Sequence, residues 1–139
     1  MIWPKIERQK FEETEMTINS QSKILIVDDS GSMRSIVRKL LTQLGYTDVD
    51  EAPDGPAALT KMNEKNYGLV ISDWNMVPMT GQALLERVRA NQKFAELPFI
   101  MMTAEPNPDK IIEAKFAGVS SFINKPFSAE ELQAKISKI

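Results

Sequence analysis

A three-layer α/β domain, with a five-stranded parallel sheet between two layers made of five helices, is what this sequence predicts. Three observations carry that prediction. From Lys23 onward, short apolar runs alternate with stretches of helical periodicity, the pattern of a parallel sheet covered on both faces. Runs such as Ile24–Val27 are continuously apolar rather than alternating, as strands buried on both faces require. Charge then arrives directly after such runs, as Asp28-Asp29, as Asp73 and as Lys125-Pro126. In an open parallel sheet the carboxyl ends of the strands share one rim, where chemistry gathers.

Each element has its own local reason. Ile24–Val27 is the first strand. Met33, Ile36, Val37, Leu40, Leu41 and Leu44 then form one apolar stripe over Ser32–Leu44, ended by Gly45 at the position after the helix. Tyr46–Glu51 predicts a second, weaker strand, and Asp54-Gly55-Pro56 opens a helix through Ala57, Ala58, Leu59 and Met62. Leu69–Ser72 is the third strand, and Thr80 caps a helix carrying Ala83, Leu84, Leu85 and Val88. Phe99–Met102 is the fourth strand. Asn107-Pro108 puts an N-cap residue ahead of proline at the first helical position, for a helix through Ile111, Ile112 and Phe116 to Gly118. Val119–Ile123 is the fifth strand. Ser128-Ala129-Glu130-Glu131 opens the last helix with a capping box, in which serine and glutamate satisfy each other's orphan amides.

Composition removes several classes of function. At 139 residues and 42% hydrophobic content the chain suits one domain with one real core. It has no cysteine and no histidine, which excludes disulfides, Cys- or His-ligated zinc and a Ser-His or Cys-His pair. A net charge of −2 argues against a nucleic-acid surface. No stretch approaches the roughly 18 apolar residues of a membrane span, and Met1-Ile2-Trp3-Pro4-Lys5 is no signal core, so a cytoplasmic setting is expected. Residues 1–21 form an N-terminal extension, charged over Lys5–Glu15 and polar over Thr17–Ser22, for which a loose helix or disorder is expected. Met16 offers an alternative start. Residues 22–139 are the domain, and with no output domain expected after Ile139, action through docking to another protein is expected.

The rim residues suit one chemistry. Mg2+ is hard and octahedral and is usually held by one or two carboxylates plus phosphate oxygens. Asp28, Asp29 and Asp73 supply carboxylates, and the backbone carbonyl of Asn75 is a further oxygen. Without metal the three acids repel one another, so at least one proton affinity should rise. A bound cation relieves that repulsion and leaves a carboxylate on the middle strand free to attack phosphorus, a recognised route to an acyl phosphate. Such transfer needs mainly alignment and charge neutralisation. Metal would take one phosphoryl oxygen, the Lys125 ammonium a second and the Thr103 hydroxyl a third, with the small Ala104 leaving room. Singly, each residue reads more readily as a cap or a solvated charge; their coincidence at four strand ends is what points to a site.

These residues resemble the receiver domains of two-component response regulators, the CheY-like chemotaxis members in particular. The likeness covers residues 22–139 and rests on Val27-Asp28-Asp29-Ser30, Ser72-Asp73-Trp74-Asn75-Met76, Thr103-Ala104-Glu105 and Lys125-Pro126-Phe127. It implies a flavodoxin-like (CheY-like) fold and makes Asp73 the phosphoacceptor, Asp28 and Asp29 the Mg2+ holders, and Lys125 the phosphoryl contact. It also implies that Thr103 and Phe122 are a switch pair and that Asn75 and Glu105 tune the lifetime of the acyl phosphate. The donor would be a CheA-like histidine kinase. A protein target, a flagellar motor switch protein in the sharpest version, would dock on the face of the fourth helix, fifth strand and fifth helix. A monomer with only self-phosphorylation and slow self-dephosphorylation is expected, without nucleic acid or membrane.

Three departures stand out. Phe122 has no hydroxyl where chemotaxis members carry tyrosine; Val77-Pro78 displaces the proline that usually follows Met76; and Pro106 and Pro108 crowd the loop before the fourth helix. A cis bond is expected at Lys125-Pro126. Trp74, beside the acceptor, should be partly buried and report metal binding by fluorescence. A phosphate sink, a relay intermediate and a phosphorylation-independent scaffold are the alternatives. Other readings of the fold fail on residues: G-x-x-x-x-G-K-[ST] is absent, Asp28-Asp29 would repel a flavin phosphate, and a dehalogenase-type phosphatase wants its nucleophile after the first strand.

Overall fold

The computed structural model describes residues 18–139. The element order is β1 (Ile24–Val27), α1 (Gly31–Gln43), β2 (Val49–Ala52), α2 (Gly55–Glu64), β3 (Leu69–Asp73), α3 (Gly81–Ala90), a short 3-10 turn (Gln92–Phe94), β4 (Phe99–Thr103), α4 (Pro108–Ala117), β5 (Ser121–Asn124) and α5 (Ala129–Ser137). All strands are parallel, in the order β2-β1-β3-β4-β5. The chain steps from β1 outward to β2, then returns past β1 to β3, so the sheet reverses direction between β1 and β3. Ligands of such sheets bind at that reversal, beyond the carboxyl ends of the strands.

Period two divides the strands between two cores. Leu25, Val27, Val70, Phe99 and Met101 face α2, α3 and α4 and meet Ala58, Met62, Leu84, Leu85, Val88 and Ala114. Ile24, Ile26, Leu69, Ile71, Ile100 and Met102 face α1 and α5 and meet Val37, Leu41, Leu132 and Ile136. Most of these side chains are wholly buried, and each such aliphatic contributes about 2 kcal/mol relative to exposure. The helix starts follow their caps: the side chains of Asp54, Thr80, Asn107 and Ser128 each accept from the backbone amide three residues on. The Ser128–Glu131 capping box is formed in both directions.

Two strands start later than their apolar runs suggest. The amide of Tyr46 closes α1 by donating to the Leu41 carbonyl, so β2 begins at Val49 rather than Tyr46. Val119 likewise donates to Ala114 and closes α4, which moves the start of β5 to Ser121. In both places the helix end takes the backbone groups before the ladder can. The 3-10 turn, capped by Asn91 and holding Phe94 in the core, had no periodic signal in the sequence. The peptide bonds before Pro126 and Pro78 are both cis, the first as expected. Of the N-terminal extension, residues 1–17 lie outside the described residues.

Candidate functional site

At the carboxyl rim, β1 delivers Asp28 and Asp29, β3 delivers Asp73, β4 delivers Thr103, and the segment after β5 delivers Lys125. Carboxylate oxygens of Asp28, Asp29 and Asp73 all lie within 4.8 Å of one another, with Asp28 and Asp73 buried and Asp29 exposed. Lys125 Nζ stands 2.7 Å from Asp73 Oδ1 and 3.3 Å from Asp28 Oδ2. One cation therefore stands against three acids and pairs with two of them. Clustered hard oxygens with one exposed member are a donor set that suits a divalent cation such as Mg2+.

The electrostatics follow from that imbalance. Burial raises the proton affinity of Asp73; the hydrogen bond and charge of Lys125 oppose the rise, while Asp28 and Asp29 add to it. The expected rise is present, but its largest cause is desolvation of the strand end rather than repulsion among the acids. For Lys125, burial works to lower the pKa. The hydrogen bond to Asp73 and the charges of Asp28 and Asp73 outweigh it, so the ammonium sits above its ordinary value and stays charged.

Neighbouring backbone fixes these groups. Asp28 Oδ1 accepts from the Ser30 amide at 2.9 Å, and the Asp28 carbonyl accepts from Arg34 Nη1 at 2.7 Å. Arg34 is itself tied to Glu51 on β2. The Lys125 amide donates to the Thr103 carbonyl at 2.8 Å, registering the lysine against β4. Gly81 opens α3 against the acceptor strand: a β-carbon there would fall on the Asp73 carbonyl and press on Met101 Sδ at 2.7 Å. Its amide donates to the Trp74 carbonyl at 2.8 Å. Sequence reasoning missed both Arg34 and Gly81. A glycine directly after the Thr80 cap is the only local trace of the second.

Thr103 is buried, and its hydroxyl oxygen accepts from the Glu105 amide at 3.1 Å. The hydroxyl proton remains available to a group placed at the rim. Asn75 and Glu105, two residues beyond Asp73 and Thr103, are exposed. Phe122 is half-buried and stacks on Trp74, ring centroids 6.1 Å apart and planes 26° from parallel. Trp74 is more deeply buried than expected, 6% exposed, as a member of the core on the α2–α3–α4 side.

The family model for the response regulator receiver domain matches residues 24–137. The chain belongs to the response-regulator receiver family. It is 49% identical over 117 residues to the chemotaxis protein CheY of Pseudomonas aeruginosa, covering 84% of this chain and 94% of that one. It is 45% identical over 125 residues to CheY-3 of Vibrio cholerae, covering 90% and 96% respectively. Among solved structures, that of CheY4 from Vibrio cholerae superposes with a TM-score of 0.78 at 37% identity, covering 83% of this chain and 95% of that one. The flavodoxin-like receiver fold is therefore the fold of this chain, and it is CheY-like within the family. Among the described residues no helix is long and apolar enough to cross a membrane.

Proposed function

We propose that this receiver is a phosphorylation-activated switch that accepts a phosphoryl group from a histidine kinase on Asp73 and thereby changes its affinity for a protein target in chemotaxis. The observation that carries the reading is the Lys125 ammonium, 2.7 Å from Asp73 Oδ1 in a nest of three carboxylates. An Asp73 oxygen forms the new bond to phosphorus as the phosphorus–nitrogen bond of a phosphohistidine breaks, and the electron pair leaves with the imidazole. Mg2+, held by Asp28, Asp29, Asp73 and the Asn75 carbonyl, would neutralise charge on the phosphoryl oxygens. Lys125 is placed to pair with an oxygen of the phosphoryl group transferred to Asp73, since its ammonium already contacts that carboxylate. Gly81 keeps the acceptor strand in place by leaving room for the Asp73 carbonyl.

The signal leaves through Thr103 and Phe122. A phosphoryl group adds about −1.5 to −2 charges and three acceptor oxygens, to which the Thr103 hydroxyl can donate. Movement of Thr103 changes the space open to Phe122, and the α4–β5–α5 face is where a target would read the change. Carrying such an equilibrium from 1:99 to 99:1 takes about 5.5 kcal/mol, a scale that a metal contact and charge-assisted bonds can approach. Asn75 and Glu105, each exposed two residues beyond Asp73 and Thr103, are the polar side chains this reading assigns to orienting or shielding attacking water, and so to setting the acyl phosphate's lifetime. Chemotaxis is favoured because relatives 49% and 45% identical to this chain carry CheY names. A flagellar motor switch protein is the target this reading favours.

Intact mass after incubation with acetyl phosphate and Mg2+ tests the acceptor. One phosphoryl increment is expected, absent in Asp73→Asn and in a chelated control. No increment in the parent protein would overturn the reading and favour a phosphorylation-independent scaffold.

A further inference from the structure

Trp74 is a buried post between two half-buried neighbours. Its amide donates to the Met102 carbonyl at 2.9 Å and its carbonyl accepts from the Gly81 amide at 2.8 Å, so its backbone is held by β4 and α3. Phe122, half-buried, stacks on the indole. The second neighbour is Lys110, whose ammonium lies over the same ring, 5.5 Å from its centroid. Lys110 is half-buried in the first turn of α4, and among the described residues it has no carboxylate within ion-pair distance. A cation in the first turn works against the helix dipole. Asp109 in the same turn offsets part of that cost, and the indole face gives the ammonium a direct partner.

We infer that Lys110 is a positioning residue that ties the first turn of α4 to the Trp74–Phe122 pair, so that the α4 surface follows the state of Phe122. The physical link is desolvation. A cation–π contact strengthens when water is kept from the ring, and Phe122 stacked on Trp74 keeps water away. With Phe122 stacked, Lys110 is held and α4 is pinned; with Phe122 turned out, water reaches the indole and the contact weakens. That is a coupling free energy between two sites, carried by one shared side chain. It rests on the reading in which Asp73 is the acceptor and Phe122 the switch, and it adds the step from Phe122 to the docking helix.

A double-mutant cycle tests it without needing phosphorylation. Substituting Trp3→Phe leaves Trp74 as the one tryptophan of the chain, and because the chain has no cysteine, Lys115→Cys provides a single site for an environment-sensitive dye on the exposed side of α4. In this background Phe122→Leu should shift both Trp74 emission and dye signal. Adding Lys110→Met should cut the dye response to Phe122→Leu by about threefold, within the roughly 2- to 30-fold that a cation–π contact supports. Lys110→Arg, which keeps the cation, should restore it. An unchanged dye response with Lys110→Met overturns the inference, as does equal behaviour of the Met and Arg variants. Acetyl phosphate is then added with intact mass in parallel. A phosphoryl increment with a dye response insensitive to residue 110 sinks the positioning role alone. Absence of the increment sinks the acceptor reading, and the cycle still decides whether Lys110 senses Phe122.

Discussion

Two acid–base clusters flank β1, and they are built to opposite effect. On the β2 side, Glu51 accepts from Arg38 Nε at 2.6 Å and from Arg34 Nε at 3.0 Å, two cations for one acid. The Arg38 hydrogen bond, helped by Arg34 and opposed by partial burial, holds the Glu51 carboxyl below its ordinary value. On the β3 side, three clustered acids have one lysine, which pairs with Asp28 and Asp73, and burial leaves Asp73 above its ordinary value. The first cluster is satisfied and serves structure, since Arg34 also pins the Asp28 carbonyl. The second is left short of positive charge, which is the condition for taking up a cation or a reactive group. A charge deficit at a strand end, rather than the presence of acids as such, sets the candidate site apart from the structural cluster.

The largest effect should come from deepening that deficit. Lys125→Met removes the one cation from a nest it shares with the buried Asp28 and Asp73, and should cost about 3 kcal/mol of stability without metal. A urea midpoint with unchanged slope measures it. Mg2+ should restore part of the loss, because a ligand that binds only the folded state stabilises it. Failure of Mg2+ to raise the midpoint would mean that the three carboxylates do not act as one site.

A smaller effect should follow from shifting the same cluster without touching its charge. Gly81→Ala forces a β-carbon against the Asp73 carbonyl and Met101, an overpacking cost of about 2 kcal/mol. The same variant should accept phosphate from acetyl phosphate more slowly, because the acceptor strand has moved. Wild-type stability and wild-type rate together would show that α3 gives way instead.

The smallest belongs to the satisfied cluster. Glu51→Gln should lose about 1 kcal/mol near neutrality, since the pairs are only partly buried. Its sign with pH is fixed: the folded value lies below the unfolded one, so the contribution is present above the unfolded value and is lost as pH falls through the folded one. Wild type and Glu51→Gln should therefore converge below the ordinary glutamate range. Parallel stability curves down to strongly acid pH would remove Glu51 from the account.

Much of this molecule is local, and what is local was legible. Caps at Asp54, Thr80, Asn107 and Ser128 act on amides three residues away, so their chemistry is written in adjacent letters. β1 was readable to the residue because both its faces are buried and the whole run is apolar. The identities of Asp28, Asp29, Asp73, Thr103 and Lys125 as rim residues follow from strand ends in a parallel sheet, a rule that needs no coordinates. The starts of β2 and β5 were not readable, because apolar residues continue while a helix end has already claimed the backbone amides of Tyr46 and Val119.

The sequence by itself determined the layers, the rim and the residue types standing on it, since periodicity and strand-end chemistry depend on neighbours along the chain. Only the tertiary structure decided that Lys125 lies closer to Asp73 than to Asp28, that Gly81 has no room for a β-carbon beside Asp73, and that Trp74 is shared by Phe122 and Lys110. Those facts join elements distant in sequence. They depend on distances of a few ångströms set by sheet order and helix packing, and no local pattern encodes them.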